Sequence, residues 1–190
     1  MDAISAALFG LLLAACAGLR AFLPVLAAGL GARLMDLPLP PQLEWLTRTE
    51  ALLVLAVATL LEILGDKVPV VDHLLDSVQT LSKPALAVLA ATPFVYQLAP
   101  EHALAIAIAL GAPVALGVHA TKATVRAGTT ATTAGLGNPV VSVIEDVVAT
   151  AAIVIGLLAP VLGLLLIGVL CLVLVRFALR VRRALRRPPA

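Results

Sequence analysis

Glu62, Asp66, Lys67, Asp72, His73 and Asp76 fall within the fifteen residues "EILGDKVPVVDHLLD". Carboxylates at this density suit two kinds of chemistry. They can bind or relay cations and protons, or they can hold Mg²⁺ against a diphosphate. Glu62 and Asp66 are four apart and share a helical face with Thr59. Beyond Pro69, the residues Asp72, Asp76, Gln79 and Lys83 recur at spacings of four, three and four, a single polar stripe on a helix. Leu74, Leu75, Val78 and Leu81 lie elsewhere on that wheel. The stripe either lines a water-filled path or faces cytosolic water as an interfacial helix. The second reading covers Asp72 and His73 easily. It covers Glu62 less well, because "LLVLAVATLLE" leads straight into it.

Two more polar groups follow the same rule. His119, Lys122 and Arg126 are spaced three and four, and Thr129 or Thr130 and Thr133 extend the face if the helix continues. Asn138, Ser142 and Glu145 are spaced four and three, with Asp146 beside them. Arg20 stands nearly alone in a long apolar run. The acids of the set are Glu62, Asp66, Asp72, Asp76, Glu145 and Asp146; the bases are Arg20, Lys67, Lys83, Lys122 and Arg126. An ionisable group within a bilayer costs about 3 kcal/mol or more, so such groups pair and face the bundle interior. Arg20 or Arg126 is therefore expected to meet an acid from another helix. A nearly neutral set holds helices together as readily as it lines a path, so both readings stand at this stage. The expected ion- or substrate-binding residues are Arg20, Glu62, Asp66, Lys67, Asp72, Asp76, His119, Lys122, Arg126, Asn138, Glu145 and Asp146.

Other chemistries find no pattern here. There is no nucleotide-binding loop, no haem or iron–sulfur spacing and no serine or cysteine triad signature, so no cofactor is evident. His73 and His119 could ligate a metal or act as bases, but a lone His near a helix end is more often structural. Cys16 and Cys171 both sit inside apolar runs and read as small core residues.

The elements that must position these residues are set by composition. The chain has 190 residues, 62% of them hydrophobic and 13% charged, with a mean hydropathy of +1.11. A water-facing surface can hardly be built from that, so lipid must cover the excess. The expected fold is all-α: one integral membrane domain over 1–190, a polytopic bundle of about six transmembrane helices. Spans are expected from Ile4 to about Leu30, from near Ala51, from about Asp72 to Leu98, and from Ala103 to roughly Arg126 with a kink at Pro113. The uncharged run from Val147 to Val175 is 29 residues, long for one helix and short for two. Pro160 offers a turn, with Asn138 as N-cap and Pro139 opening the fifth helix; one long tilted helix is the alternative.

Lys67, Lys122 and the six arginines of the tail 176–190 fall on one side of a six-span bundle, and Arg33 and Arg48 on the other. By the positive-inside rule both termini are then cytoplasmic, with Trp45 at the outer interface. The basic tail could suggest nucleic acid, but beside an apolar run it marks a cytoplasmic helix end. "LAAC" ending at Cys16 matches a lipoprotein cleavage box, yet "MDAIS" lacks a positive n-region, so an uncleaved helix is expected. Residues 19–31 and 125–137 match at six of thirteen positions, Arg20 with Arg126 among them. That would relate halves 1–100 and 101–180 as inverted three-helix repeats, as in many transporters, or it is compositional coincidence.

"GLRAFLP", "EILGDKVPVVDHLLDSVQTLSKP", "ALGVHATKATVRAG" and "NPVVSVIEDV" resemble the bacterial membrane family called domain of unknown function 4126. The resemblance covers nearly the whole chain and is most specific in the D-K-x-P-x-x-D segment. It implies an integral protein of the bacterial inner membrane with a shared charged site, and it supplies no activity. The leading expectation is a small transporter or channel for an ion or small solute. The alternatives are a membrane enzyme acting on a lipid headgroup or phosphate, and a structural or assembly protein. Expected partners are the lipid bilayer and an ion or small solute; a homo-oligomer is compatible, and nucleic acid is not expected.

Overall fold

The computed structural model describes the backbone of residues 1–67 and 69–185, and the side chains of these residues other than 69–78, 178 and 181–185. The described chain is all-α. Its helices are α1 (Ala3–Leu19), α2 (Leu23–Leu34), α3 (Thr49–Gly65), α4 (Pro69–Val95), α5 (Ala103–Ile106), α6 (Ala112–Thr133), α7 (Asn138–Leu158) and α8 (Pro160–Leu185). A 3-10 segment, Pro41–Thr47, precedes α3. α5 and α6 are joined by a π-helical turn, Ala107–Gly111. Pro113 accounts for it: the ring has no N–H and crowds the carbonyl four residues back, so the turn before it widens. The sequence expectation at Pro113 is a kink; the structure has this π-helical turn just before it.

α1 is the centre of the bundle, buried from Phe9 to Leu19 except at Leu11. It packs against α4, α6, α7 and α8. Small residues let the backbones close up. A Cβ placed on Gly10 would sit 2.8 Å from the Ala91 carbonyl oxygen of α4, and one on Gly18 would collide with the Ala115 carbonyl of α6. Close approach of this kind is how helices gain dispersion contacts where lipid supplies no hydrophobic drive. Phe9 and Phe94 add an edge-to-face ring contact, centroids 4.8 Å apart.

The first apolar run departs from the expected single span. α1 stops at Leu19, Arg20 is extended (φ −128°, ψ 124°), and α2 starts at Leu23 with Pro24 in its first turn. Phe94 packs against Gly10 on α1 and against Gly31 on α2. Those glycines lie ten and eleven residues to either side of Arg20, about 15 Å of helix each way. Only a chain that folds back at Arg20 brings both to one ring. The run is a helical hairpin with Arg20 at its tip.

This changes the disposition of the ends. α6 runs parallel to α1: Gly111 lies beside Ala14, and Gly18 beside Ala115 and Val118. α4 and α7 run antiparallel to α1, with Gly156 of α7 against Leu12 while Ser142 reaches Arg20. α8 starts beside Leu12 at Gly163 and by Val175 and Leu179 is level with Thr121 and Thr124 of α6. Ile4 sits with Val95, Leu98 and Ile106. The start of α1 and the end of α8 are therefore at opposite ends of the bundle. The expectation of both termini on one side counted 4–30 as one crossing, and the hairpin adds a reversal.

Elsewhere the turn at Pro160 is present. α7 ends at Leu158 and α8 begins at Pro160, so the uncharged run is two helices. Asn138 is the first residue of α7 with Gly137 before it, so it is not the N-cap; its side chain instead ties α7 to α6. The two segments aligned as a repeat differ in conformation. Arg20 lies between helices and Arg126 inside α6; Gly29 and Gly31 are helical, while Gly135 takes φ +88° in a turn.

Among the described residues three stretches, Pro100–Thr133, Asn138–Leu158 and Pro160–Phe177, are long and apolar enough to cross a bilayer. Their outer faces and that of α3 expose large apolar residues, including Leu53, Val57, Leu61 and Leu64 on α3 and Leu165, Val169 and Leu172 on α8. An apolar surface this extensive belongs in lipid.

Candidate functional site

Breaking a helix inside a bundle leaves unpaired carbonyls at one end and unpaired amides at the other. Both ends of the break at Arg20 are closed by side chains from distant helices. Lys122 of α6 donates from Nζ to the Leu19 carbonyl, 3.1 Å away, placing a cation on the C-terminal end of α1. Glu62 of α3 accepts from the Ala21 amide at 2.7 Å and the Phe22 amide at 3.0 Å, one carboxylate oxygen for each. It also accepts from Gln79 of α4 at 3.0 Å. Glu62 thus puts its negative charge where α2 begins, the position a helix dipole favours.

Arg20 turns outward from the tip into a buried cluster of charge. It is fully buried and ion-paired to Asp66 through Nη1. Its Nη2 donates to the Ser142 hydroxyl at 2.8 Å and the Ser142 carbonyl at 3.2 Å, and lies 2.5 Å from Asp146. Asp66 directly follows α3, a poor place for a carboxylate because it adds to the negative end of the helix dipole. Three cations offset this. Besides Arg20, Arg126 Nη2 lies 3.2 Å and Lys122 Nζ 3.6 Å from the same oxygen, Oδ2. Glu145 of α7 sits behind them, its Oε2 3.3 Å from Lys122 and 3.4 Å from Arg126. Asp66 Oδ1 and Glu145 Oε1 are buried without a hydrogen-bond partner.

One side of the cluster reaches solvent. Lys67 donates to Ser142 Oγ at 2.8 Å and to Asp146 Oδ2 at 2.6 Å. The Lys67 side chain is 30% exposed and that of Asp146 17%, against 1% for Asp66 and 0% for Arg20. Each acidic dipeptide neighbourhood is therefore split across a boundary. In Asp66–Lys67 the acid faces in and the base out; in Glu145–Asp146 one acid faces in and the other out.

Of the residues expected from sequence, the structure brings together Arg20, Asp66, Lys67, Lys122, Arg126, Glu145 and Asp146. Glu62 borders them but faces the backbone amides of the tip. Asn138 is apart, accepting from Thr129 and donating to Thr130 Oγ1 at 3.0 Å. His119 is also apart, with Nδ1 3.0 Å from Lys83 Nζ and Nε2 3.0 Å from Thr80 Oγ1. The side chains of Asp72 and Asp76 lie outside the described residues. Ser142, which joins Arg20 to Lys67, was on the predicted polar face but not among the expected site residues. Its spacing with Asn138 and Glu145 was the signal for it. Among the described residues no group of three or more His, Cys, Asp and Glu side chains is arranged to hold a metal ion.

The break with its two closing side chains and the inward-facing Asp66 fall within segments that also match a known family over residues 7–180, the one described as Domain of unknown function (DUF4126). The chain belongs to this family. No curated protein and no solved structure matches it. The DUF4126 match spans all eight helices apart from the first residues of α1 and the last of α8, so hairpin, cluster and outer pair all lie inside it.

Proposed function

We propose that this protein is a small transporter or channel of the bacterial inner membrane, moving an ion or small solute past the cluster at the hairpin tip. The observation that supports it is the pair of buried carboxylate oxygens without partners, Asp66 Oδ1 and Glu145 Oε1, a short step from the partly exposed Lys67–Asp146 pair. Charge kept inside a membrane bundle with unused acceptors is where permeating species are handled. The end carrying Lys67, Lys122, Arg126, Arg176 and Arg180 faces the cytoplasm in this reading, by the positive-inside rule. The N-terminus, Arg33, Arg48 and the half-exposed Trp45 then lie on the outer side.

A structural role is the second reading, and Glu62 and Lys122 favour it. Both cap the broken helix, which is work a scaffold needs. An enzyme holding Mg²⁺ on Glu62, Asp66, Asp72 and Asp76 is less well supported, since Glu62 is turned to backbone amides and Asp66 to cations; the side chains of Asp72 and Asp76 lie outside the described residues. Flux assays on the full chain in proteoliposomes separate the two leading readings. Glu145→Gln keeps the shape and removes the charge. Transport predicts that it abolishes flux of protons or ions while the protein still inserts. Lowered thermal stability with flux intact supports the scaffold.

A further inference from the structure

We propose that the cations around Asp66 form a site for a small inorganic anion, and that the Asp66 carboxylate is its tethered resting occupant. The proposal deepens the transport reading and rests on it for its biological use. Arg20, Arg126 and Lys122 all reach a single oxygen, Oδ2, while Oδ1 has no partner. Carboxylate–arginine pairs frequently engage both oxygens in parallel. Cations converging on one point make an anion receptor.

The cradle does not depend on Asp66 for its shape. Arg20 is fixed by the Ser142 hydroxyl and carbonyl and by Asp146. Lys122 is fixed by the Leu19 carbonyl and Glu145, and Arg126 by Glu145. Asp66 sits just past the end of α3, against the helix dipole, so charge is what holds its carboxylate there. A mobile anion at the same point would meet the same cations. Arg20 and Lys122 are wholly buried, which fits a chloride or phosphate ion and not a lipid headgroup. The Lys67–Asp146 pair, the most exposed contact of the cluster among the described residues, is the entry.

Asp66→Asn tests this, with chloride and inorganic phosphate as probes and gluconate at equal ionic strength as control. The full-length variant in detergent is expected to gain about 2 °C or more in Tm in chloride or phosphate over gluconate, with an anion affinity about tenfold above wild type. A folded variant that melts alike in all three salts overturns the anion site. If the variant unfolds in gluconate, recovery in chloride or phosphate supports the site, and unfolding in all three overturns it. Flux of the wild type is measured separately in proteoliposomes. Wild-type flux with an anion-insensitive variant removes the anion site and leaves transport. An anion-responsive variant with no flux in either protein keeps the site and removes transport.

Discussion

Glu62 shows how one side chain sets the course of the chain. Its carboxylate accepts three hydrogen bonds, two from backbone amides that a broken helix would otherwise leave bare. Glutamine has one acceptor oxygen, and its amide would confront an N–H. Glu62→Gln is expected to lower stability by about 2–4 kcal/mol, since a buried donor is stranded and a charge-assisted bond is lost. Thermal unfolding in detergent measures it, and an unchanged Tm would show that the tip needs no carboxylate. Arg20 makes the complementary point. Its planar guanidinium sends separate nitrogens in fixed directions, Nη1 to Asp66 beyond α3 and Nη2 to Ser142 and Asp146 of α7.

At the scale of the element, the hairpin of α1 and α2 is fixed by small residues as much as by charge. Gly18→Ala would drive a methyl into the Ala115 backbone, which cannot rotate away, and is expected to cost roughly 1–3 kcal/mol. Gly168→Ala on α8 has nothing within 4 Å and serves as the neutral control. Equal melting of the two variants would mean that α1 and α6 are not held in close contact. Which elements could be read from the sequence follows from locality. The division of α7 from α8 was legible, because the length of the uncharged run and Pro160 are local signals. The start of α7 was legible to within one residue. The hairpin was not. Its tip carries no glycine or asparagine turn, and the groups that close it, Glu62 and Lys122, are 42 and 102 residues beyond Arg20. The meeting of Arg20 with acids of other helices was legible from the cost of an unpaired charge in lipid. The choice of Asp66 and Asp146 depends on how the helices pack.

For the whole molecule, the hairpin leaves the first and last described helices, α1 and α8, running parallel, so that their free ends lie at opposite ends of the bundle. Reporter fusions at Met1 and at Ala190 are expected to report opposite sides of the membrane, and one inserted near Glu44 should agree with Met1. Agreement between Met1 and Ala190 would contradict the hairpin. The polar ends differ as well. The end away from Arg20 holds an open cavity of about 500 Å³ lined by Arg33, Arg48, Asp36, Glu44 and Glu50, while among the described residues of the charged cluster Lys67 and Asp146 are the most exposed.

The ion pairs of Arg20 also impose an order on biosynthesis. Arg20 is made well before its partners on α7: Ser142 lies 122 residues later and Asp146 later still. At about 5–20 residues per second, the ribosome needs roughly 6–24 s to supply them. Until then Asp66 is the one of the three partners Asp66, Ser142 and Asp146 that the nascent chain holds, so the cluster around Arg20 can be completed only after α7 emerges. Maturation of this protein is gated by its second half, and a ribosome that stalls between α6 and α7 leaves Arg20, Lys122 and Arg126 sharing Asp66 without Glu145 and Asp146, an excess of positive charge that makes the chain a ready target for quality-control proteolysis.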